Sequence, residues 1–343
     1  MTKNNKQIIK GKDNRRDHFV AQTYLKRFTN SDGYLYVFNK DNNSYFTPKP
    51  DKICCEKNWD ILKHEKYKYI LREMLQTVEP KFNKCVNNVL GEDYSAQDCF
   101  FISWYLGILF TLNPSFQDAL KEWHEIEAKM TACMLIDNGT IDMPKEIEEL
   151  LGGRYNFKAE VDPDYIKAVI MKNLFVIILN IYNSPWIIIK NTSQLDFITS
   201  DNPFSFMPCP QDSHIYPRFV PLDTKHILFL PPTMEYDVNE YKNFDGKNIP
   251  PRKWGIKRIE TSETELFNIY TIGNAERFII MQNENEEIKH LISTNQNTKI
   301  TRRNEVIPLE KGYLIVSPSY CNRTKDEKES DFEKLCSILF QES

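Results

Sequence analysis

The chain has 343 residues, of which 41% are hydrophobic and 27% charged, and its formal net charge at pH 7 is −4. Such a chain can bury one large core or two smaller ones, and it lacks the overall positive field that captures nucleic acid through phosphates alone. Its first 19 residues contain no apolar stretch typical of a signal peptide, and the longest apolar run, residues 100–112, is too short to span a membrane. We therefore expect a soluble, cytoplasmic protein without membrane contact.

Residues 1–16 are rich in lysine, asparagine and arginine, which predicts a flexible basic tail. Apolar residues then recur at helical spacing from Phe19 to Phe28, indicating a short amphipathic helix with Asp17 placed to cap it. Two aromatic runs, residues 34–38 and 44–47, flank a polar turn and predict a β-hairpin.

The remaining pattern is helical at first and then rich in short apolar runs. Predicted helices cover residues 67–90, 96–111, 116–136, 144–151 and 163–183, with glycine, proline or asparagine at the breaks. Predicted strands of one sheet cover residues 186–189, 195–199, 218–222 and 226–230. Beyond them we expect a loop over 235–258, a helix over 263–282 capped by Thr261 or Ser262, a strand over 313–316 and a helix over 331–339.

These elements predict an α+β fold. A mainly antiparallel sheet is joined by the N-terminal helix and hairpin, and the large helical block of residues 67–183 lies on one side. Residues 17–343 are expected to form a single domain after the tail of residues 1–16.

Common catalytic and metal-binding motifs are absent from the chain. There is no glycine-rich phosphate loop, no G-x-S-x-G, no H-E-x-x-H and no C-x-x-C pair. This argues against P-loop, Rossmann and common-fold serine hydrolase enzymes, and against a zinc finger. The eight cysteines are expected to be free, mostly buried thiols.

Asp201 and Asn202 follow a predicted strand and precede Pro203. Asp and Asn before proline make ordinary turns, because the side chain can bond backbone amides two residues on. Alternatively, Asp201 is a ligand for a divalent metal or a general base, and Asn202 donates to a substrate or an oxyanion. His18, at the entry of the first helix, is either a structural tether or an acid/base group that titrates near neutrality.

Four further polar residues are candidates. Glu79 and Glu73 are six positions apart and do not share a helix face, so Glu79 is a candidate base or metal ligand only if it meets Asp201 in space. Asn268, Asn274 and Arg277 interrupt the apolar face of the predicted helix 263–282. They either cross-link neighbouring loops or bind substrate, with Arg277 clamping an anionic group.

The N-terminal region is the one local concentration of positive charge. Residues 3–16 are followed by Lys26 and Arg27, and the aromatic residues Tyr24 and Phe28 are close by. Such a run is usually a solvated tail. It can also supply phosphate contacts and stacking surfaces to RNA or DNA.

The order of these residues resembles the bacterial family called domain of unknown function 4238. Residues 17–28 (DHFVAQTYLKRF) and 34–38 resemble its opening, and residues 197–203 and 268–278 are similar to its central and C-terminal motifs. The family tends to carry an arginine before a proline in its central helix, where this sequence has Leu112-Asn113-Pro114. The resemblance implies a set of candidate residues and no defined reaction.

Two functions follow as hypotheses. The first is a hydrolase, nuclease-like and acting on a phosphodiester or nucleotide in phage defence or as a toxin, with an unidentified cofactor. Its catalytic candidates are His18, Glu79, Asp201 and Asn202, and its substrate-binding candidates are Tyr24, Arg27, Asn268, Asn274 and Arg277. The second is a non-catalytic binding or sensor module, including one with a protein partner. Convergence of Asp201, His18 and Glu79 in an open pocket favours the enzyme, and burial against backbone partners favours the module.

Overall fold

The computed structural model describes residues 16–57, 59–63, 67–207, 216–231, 254–309, 312–317 and 319–340. The predicted tail up to residue 15 and the predicted loop from residue 235 to 253 lie outside these ranges. Within them the chain has the expected α+β fold, with several mainly antiparallel sheets and a block of helices.

The amino-terminal elements are a two-stranded sheet, a helical turn and the predicted hairpin. β1 (Arg16–His18) pairs with β4 (Cys55–Lys57), α1 (Gln22–Leu25) continues into a 3-10 turn (Lys26–Phe28), and β2 (Tyr36–Asn39) pairs with β3 (Ser44–Phe46). The hairpin is confirmed, and Asn43 in its turn has the positive φ that asparagine tolerates. The observed helix α1 is shorter than the predicted helix of residues 19–28.

Asp17 does not cap α1. Its carboxylate accepts a hydrogen bond from Arg72 Nη2 at 3.1 Å, and the same guanidinium donates twice to Asp60, at 2.7 and 2.9 Å. All three side chains are buried. The predicted cap is wrong because Asp17 lies in β1 and α1 begins only at Gln22.

The helical block contains α2 (Ile70–Leu90), α3 (Ala96–Thr111), α4 (Pro114–Asp137), α5 (Lys145–Leu151) and α6 (Pro163–Asn183). Polar caps at Ser95, Asn113 and Asp162 begin the three long helices after α2, which explains why sequence patterns locate them well. α3 packs between α2 and α6. A Cβ on Gly107 of α3 would lie 2.9 Å from Ile178 Cγ1 of α6, so glycine permits this close approach.

By length and apolar composition α6 could cross a membrane, and one third of its most apolar stretch of 18 residues is buried within the structure. Core helices of soluble proteins, which are mostly buried, pass the same test of length and composition. In this fold α6 packs on α3 and leads directly into a strand of the larger sheet.

The larger sheet has the strand order β10-β5-β9-β8-β7. Its strands are β5 (Trp186–Asn191), β7 (Ser205–Phe206), β8 (Arg218–Pro221), β9 (His226–Leu230) and β10 (Trp254–Ile259). β10 runs parallel to β5, and the other neighbours are antiparallel. The predicted loop is therefore wrong over residues 254–258, because this segment finds its pairing partner about 70 residues earlier in the chain.

A second sheet contains β3-β2-β11-β6, with β6 (Thr199–Ser200) and β11 (Phe278–Met281). The prediction that residues 195–199 form a strand in the same sheet as β5, β8 and β9 is wrong. Before Thr199 this segment forms no ladder, since Asn268 bonds the N–H of Ile198 and the carbonyl of Asp196.

α7 (Thr261–Asn274) ends earlier than the predicted helix 263–282. Part of the remaining predicted segment forms the strand β11 instead. The N-terminal cap of α7 is Glu260, in a reciprocal capping box with Glu263, and neither Thr261 nor Ser262 fills that role. The C-terminal segment, defined here as residues 286–340, contains α8 (Glu286–Asn295), β12 (Ile300–Arg302), β13 (Glu305–Leu309), β14 (Gly312–Val316), β15 (Ser319–Cys321) and α9 (Lys325–Phe340). The predicted last strand is confirmed, and the last helix begins earlier than residue 331.

Candidate functional site

Asp201 follows β6 and is buried beside the turn that joins α7 to β11. Its carboxylate accepts hydrogen bonds from the backbone N–H groups of Glu276, Arg277 and Phe278, at 3.0, 2.9 and 3.1 Å. Burial raises the pKa of Asp201 to about 7, although the three N–H donors favour the charged form. The side chain therefore fastens a turn that is distant in sequence.

This turn corrects the prediction that Arg277 is a helical neighbour of Asn274. The N–H groups of residues 276–278 bond Asp201 and not the carbonyls of α7, so the helix ends at Asn274. The Arg277 side chain is 58% exposed and its Nε lies 3.0 Å from Asp41 Oδ2 in the hairpin turn.

Asn274 and Asn202 join α7 to the chain after β6. Asn274 Nδ2 donates to Tyr270 O at 2.8 Å and to Phe206 O at 3.2 Å. Asn202 Nδ2 donates to Asn274 O at 3.1 Å. Asn268, also on α7, accepts from the N–H of Ile198 and donates to the carbonyl of Asp196. These three amides connect backbone segments.

Tyr24 and Arg27 connect the first helix to the β8–β9 hairpin. Tyr24 Oη donates to Pro221 O at 2.7 Å and lies 2.8 Å from Thr199 Oγ1. Arg27 Nε donates to Leu222 O at 2.6 Å, and a second nitrogen of its guanidinium pairs with a carboxylate of the same hairpin at 3.2 Å. Tyr24 is fully buried, as is the neighbouring Phe28 ring. Neither ring is therefore open to stack on a nucleic-acid base in this structure.

Two adjoining clefts lie between the N-terminus of α4 and the α7–β11 turn. Each has a volume of about 410 Å³. They share the wall residues Asn113, Ser115, Asp118 and Glu276. Asn113 caps α4, and its Nδ2 donates to Asp201 O at 3.0 Å. The shared wall is thus tied to the turn that Asp201 fastens.

Cleft 1 combines aromatic rings with polar groups. Its rings are Phe110, Phe116 and Phe206; its polar lining includes Asn202, Asn274, Asp118, Glu122, Glu276 and Lys299. The Phe110 ring centroid lies 4.5 Å from that of Phe116 and 6.0 Å from that of Phe206. An apolar floor with a few directed polar groups is typical of small-molecule sites.

Cleft 2 is more strongly charged. It is lined by the cations Arg16, Lys52 and Arg277, by the carboxylates Glu56, Asp118, Asp201 and Glu276, and by the free thiols Cys54 and Cys55. Burial raises the pKa of both thiols, so they are held in the protonated form at neutral pH. Cations and carboxylates are nearly balanced here, and the cleft has no strong preference for an anion.

His18 and Glu79 line neither cleft. His18 lies in β1 opposite Cys55, and Glu79 lies on α2 near the buried Tyr105, whose pKa is raised by burial and by the charge of Glu79. Across the described residues, no group of three or more His, Cys, Asp or Glu side chains is arranged to hold a metal ion. Neither His18 nor Glu79 therefore joins Asp201 in the lining of cleft 2.

Sequence reasoning did not identify Asp118, Glu276 or Lys299. All three are exposed, and although Glu276 lies within the motif of residues 268–278, no sequence spacing links it to Asp118 or Lys299, so only the fold brings them together. Asn113 carried a signal, since asparagine before proline is typical of a helix N-terminus. It stands where the resembling family tends to have arginine, and that position now lies in the wall between the clefts.

Searches among curated proteins and among solved structures find no significant similarity. One family model, described as "Protein of unknown function (DUF4238)", matches residues 16–285. This range holds every motif residue discussed above and ends just before the C-terminal segment. Because the match covers well over half of its length, the chain belongs to the DUF4238 family.

Proposed function

We propose that the protein is a non-catalytic module that binds a small polar ligand in cleft 1. The observation that carries this proposal is that one group of polar side chains bonds the backbone, while another group lines the cleft. The motif residues Asp201, Asn268 and Asn274 bond backbone atoms. The carboxylates of Asp118 and Glu276, by contrast, line the cleft without an ion-pair partner among the described residues.

Proton-transfer chemistry needs a lone pair that faces the substrate. The Asp201 oxygens accept from three backbone N–H groups. Both the oxygen and the nitrogen of the Asn268 amide bond backbone atoms, and the amide nitrogen of Asn274 bonds two backbone carbonyls. Side chains used in this way position a scaffold. Binding needs no reactive group, only a cleft with complementary shape and polarity.

The chemistry of cleft 1 suits a ligand with one flat apolar part and one polar part. The rings of Phe110, Phe116 and Phe206 supply the apolar surface. Asn202 is half-buried at the same cleft; its Nδ2 donates to Asn274 O, and its side-chain oxygen can accept a hydrogen bond from the polar part.

Three fragments with one ring and different charge test the proposal: benzylamine, benzoate and benzyl alcohol. Saturation-transfer NMR on the full chain should detect binding of at least one of them. Phe116→Ala should abolish the signal because it removes part of the ring surface. Phe175→Ala should not, since the Phe175 side chain is exposed on α6 and lies outside the cleft lining. The proposal fails if no fragment binds, or if binding is unchanged in Phe116→Ala.

A hydrolase or nuclease, with a role in phage defence or as a toxin, is the second candidate, and one observation favours it. Asp201 lines cleft 2 and its pKa is raised to about 7, which suits a general base at neutral pH. Purified protein would be incubated with RNA, DNA and bis(p-nitrophenyl) phosphate, with and without Mg²⁺. Turnover by the wild type that is lost in Asp201→Asn while the variant remains folded would favour the enzyme over the binding module.

A further inference from the structure

We infer that the C-terminal segment sets the charge specificity of cleft 1, and that Lys299 is the residue that admits an anionic group. This inference rests on the proposed function, because it names the ligand class of the same cleft. It concerns residues 286–340, which lie beyond the part of the chain that matches the family model.

The two clefts differ in which part of the chain completes them. Cleft 1 is lined in part by Lys299, Ile300, Thr301 and Ser319, all from the C-terminal segment. The lining of cleft 2 ends at Phe278 and lies within the family match. The segment therefore forms a wall of cleft 1 and leaves cleft 2 untouched.

The segment sits close against α7 at Gly273. A Cβ at this position would lie 3.0 Å from Thr298 Cγ2 and 3.3 Å from Ile300 Cγ1. Only glycine allows this approach without a shift of the neighbouring chain. Since Asn274 is the next residue and lines the same cleft, the position of the wall depends on this contact.

A second attachment joins the segment to α4, on another side of cleft 1. Asn304 Nδ2 donates to Ala119 O at 3.0 Å and to Glu122 Oε2 at 2.7 Å. Ala119 and Glu122 both line the cleft. The segment is therefore fixed to two of the elements that enclose the ligand volume.

The wall changes the charge of the cleft. The family-matched part contributes the carboxylates of Asp118, Glu122 and Glu276, and Glu122 is already engaged by Asn304. Lys299 is the one cation among the described residues lining cleft 1, and its side chain has no ion-pair partner there. Without it every charged group of the lining would be a carboxylate, which attracts cations and repels anions; with it the lining stays net acidic but gains one local cationic group. With it, a carboxylate or phosphate on the ligand has a partner.

The fragment series separates the charge of the ligand from its shape. We expect the wild type to bind benzoate, and Lys299→Gln to bind it about tenfold more weakly, as for the loss of one charged hydrogen bond. The same variant should bind benzylamine at least as tightly as the wild type. Lys334→Gln, an exposed lysine of the same segment that lies on α9 outside the cleft, is the matched control and should bind all three fragments normally.

Gly273→Ala tests the wall itself, with Gly255→Ala as control, because a Cβ at Gly255 would meet no atom within 4 Å. We expect the former to alter affinity for all three fragments and the latter to alter none, with thermal denaturation confirming that each variant is folded. Failure of every fragment to bind the wild type would overturn the proposed function. Binding of benzylamine without benzoate, or unchanged charge preference in Lys299→Gln, would overturn only the present inference.

Discussion

Replacing Asp201 by Asn removes a buried charge but keeps the size of the side chain. The amide retains one oxygen, so it can accept from only part of the three N–H groups that the carboxylate bonds, and its NH₂ group is then directed at a donor. Loss of one or two such bonds costs about 1–3 kcal/mol. We expect the variant to be folded and less stable than the wild type.

The pH dependence gives a sharper test. Burial raises the pKa of Asp201 from 3.8 to about 7, so the folded state binds this proton more tightly than the unfolded chain does. Its contribution to stability is complete below about pH 4 and is lost as the pH rises through about 7. At about 1.36 kcal/mol per pKa unit, the loss is roughly 4 kcal/mol.

The assay is urea unfolding followed by tryptophan fluorescence at several pH values, for the wild type and Asp201→Asn. Subtracting the two free energies of unfolding cancels the groups that both proteins share. We expect the difference to be largest below about pH 4, to fall as the pH rises from about 4 to 7, and to be smallest above about pH 8. A difference that is constant, or that grows with pH, would refute the argument that burial outweighs the three N–H donors.

Three other substitutions test how the scaffold is held together, each by urea unfolding. Tyr24→Phe removes a buried hydroxyl that has two oxygen partners, and should cost about 1–2 kcal/mol without changing the circular dichroism spectrum. Arg72→Ala leaves the carboxylates of Asp17 and Asp60 buried without their guanidinium, and should cost about 3–5 kcal/mol; a loss below 1 kcal/mol would mean that the site is hydrated. Gly107→Ala should destabilise by about 1–3 kcal/mol despite the better helix propensity of alanine, because the added methyl group meets α6; a stabilised variant would contradict this close packing.

Local signals in the sequence account for the helical block. α3 and α6 begin and end where predicted. Their start signals are strong, namely the cap residue Ser95 and the Asp162-Pro163 pair. The hairpin of β2 and β3 was also predictable, since its turn residues and its aromatic strands are adjacent in the chain.

Contacts between distant segments account for the errors. The apolar residues after Asn274 continue a helical pattern, and nothing near them reveals that the Asp201 carboxylate ends the helix. The strand β10 is likewise specified by pairing with β5, which lies far away in sequence. For the same reason the motif residues were identifiable as a set, while their backbone partners and the two clefts were not.

The sheet of β3, β2, β11 and β6 can form only late in the synthesis of the chain, because β11 lies far from the other strands in sequence. Val37 of the N-terminal hairpin pairs with Ile280, and the opposite edge of β11 pairs with Thr199. Closing such long loops lowers the chain entropy before the favourable free energy of the contacts is gained. Strand pairings of this kind therefore slow folding. While the chain is still on the ribosome, the hairpin edge stays without its partner until β11 has left the exit tunnel. We expect the nascent chain to expose that edge for most of its synthesis and to depend on chaperones more than its final stability would indicate.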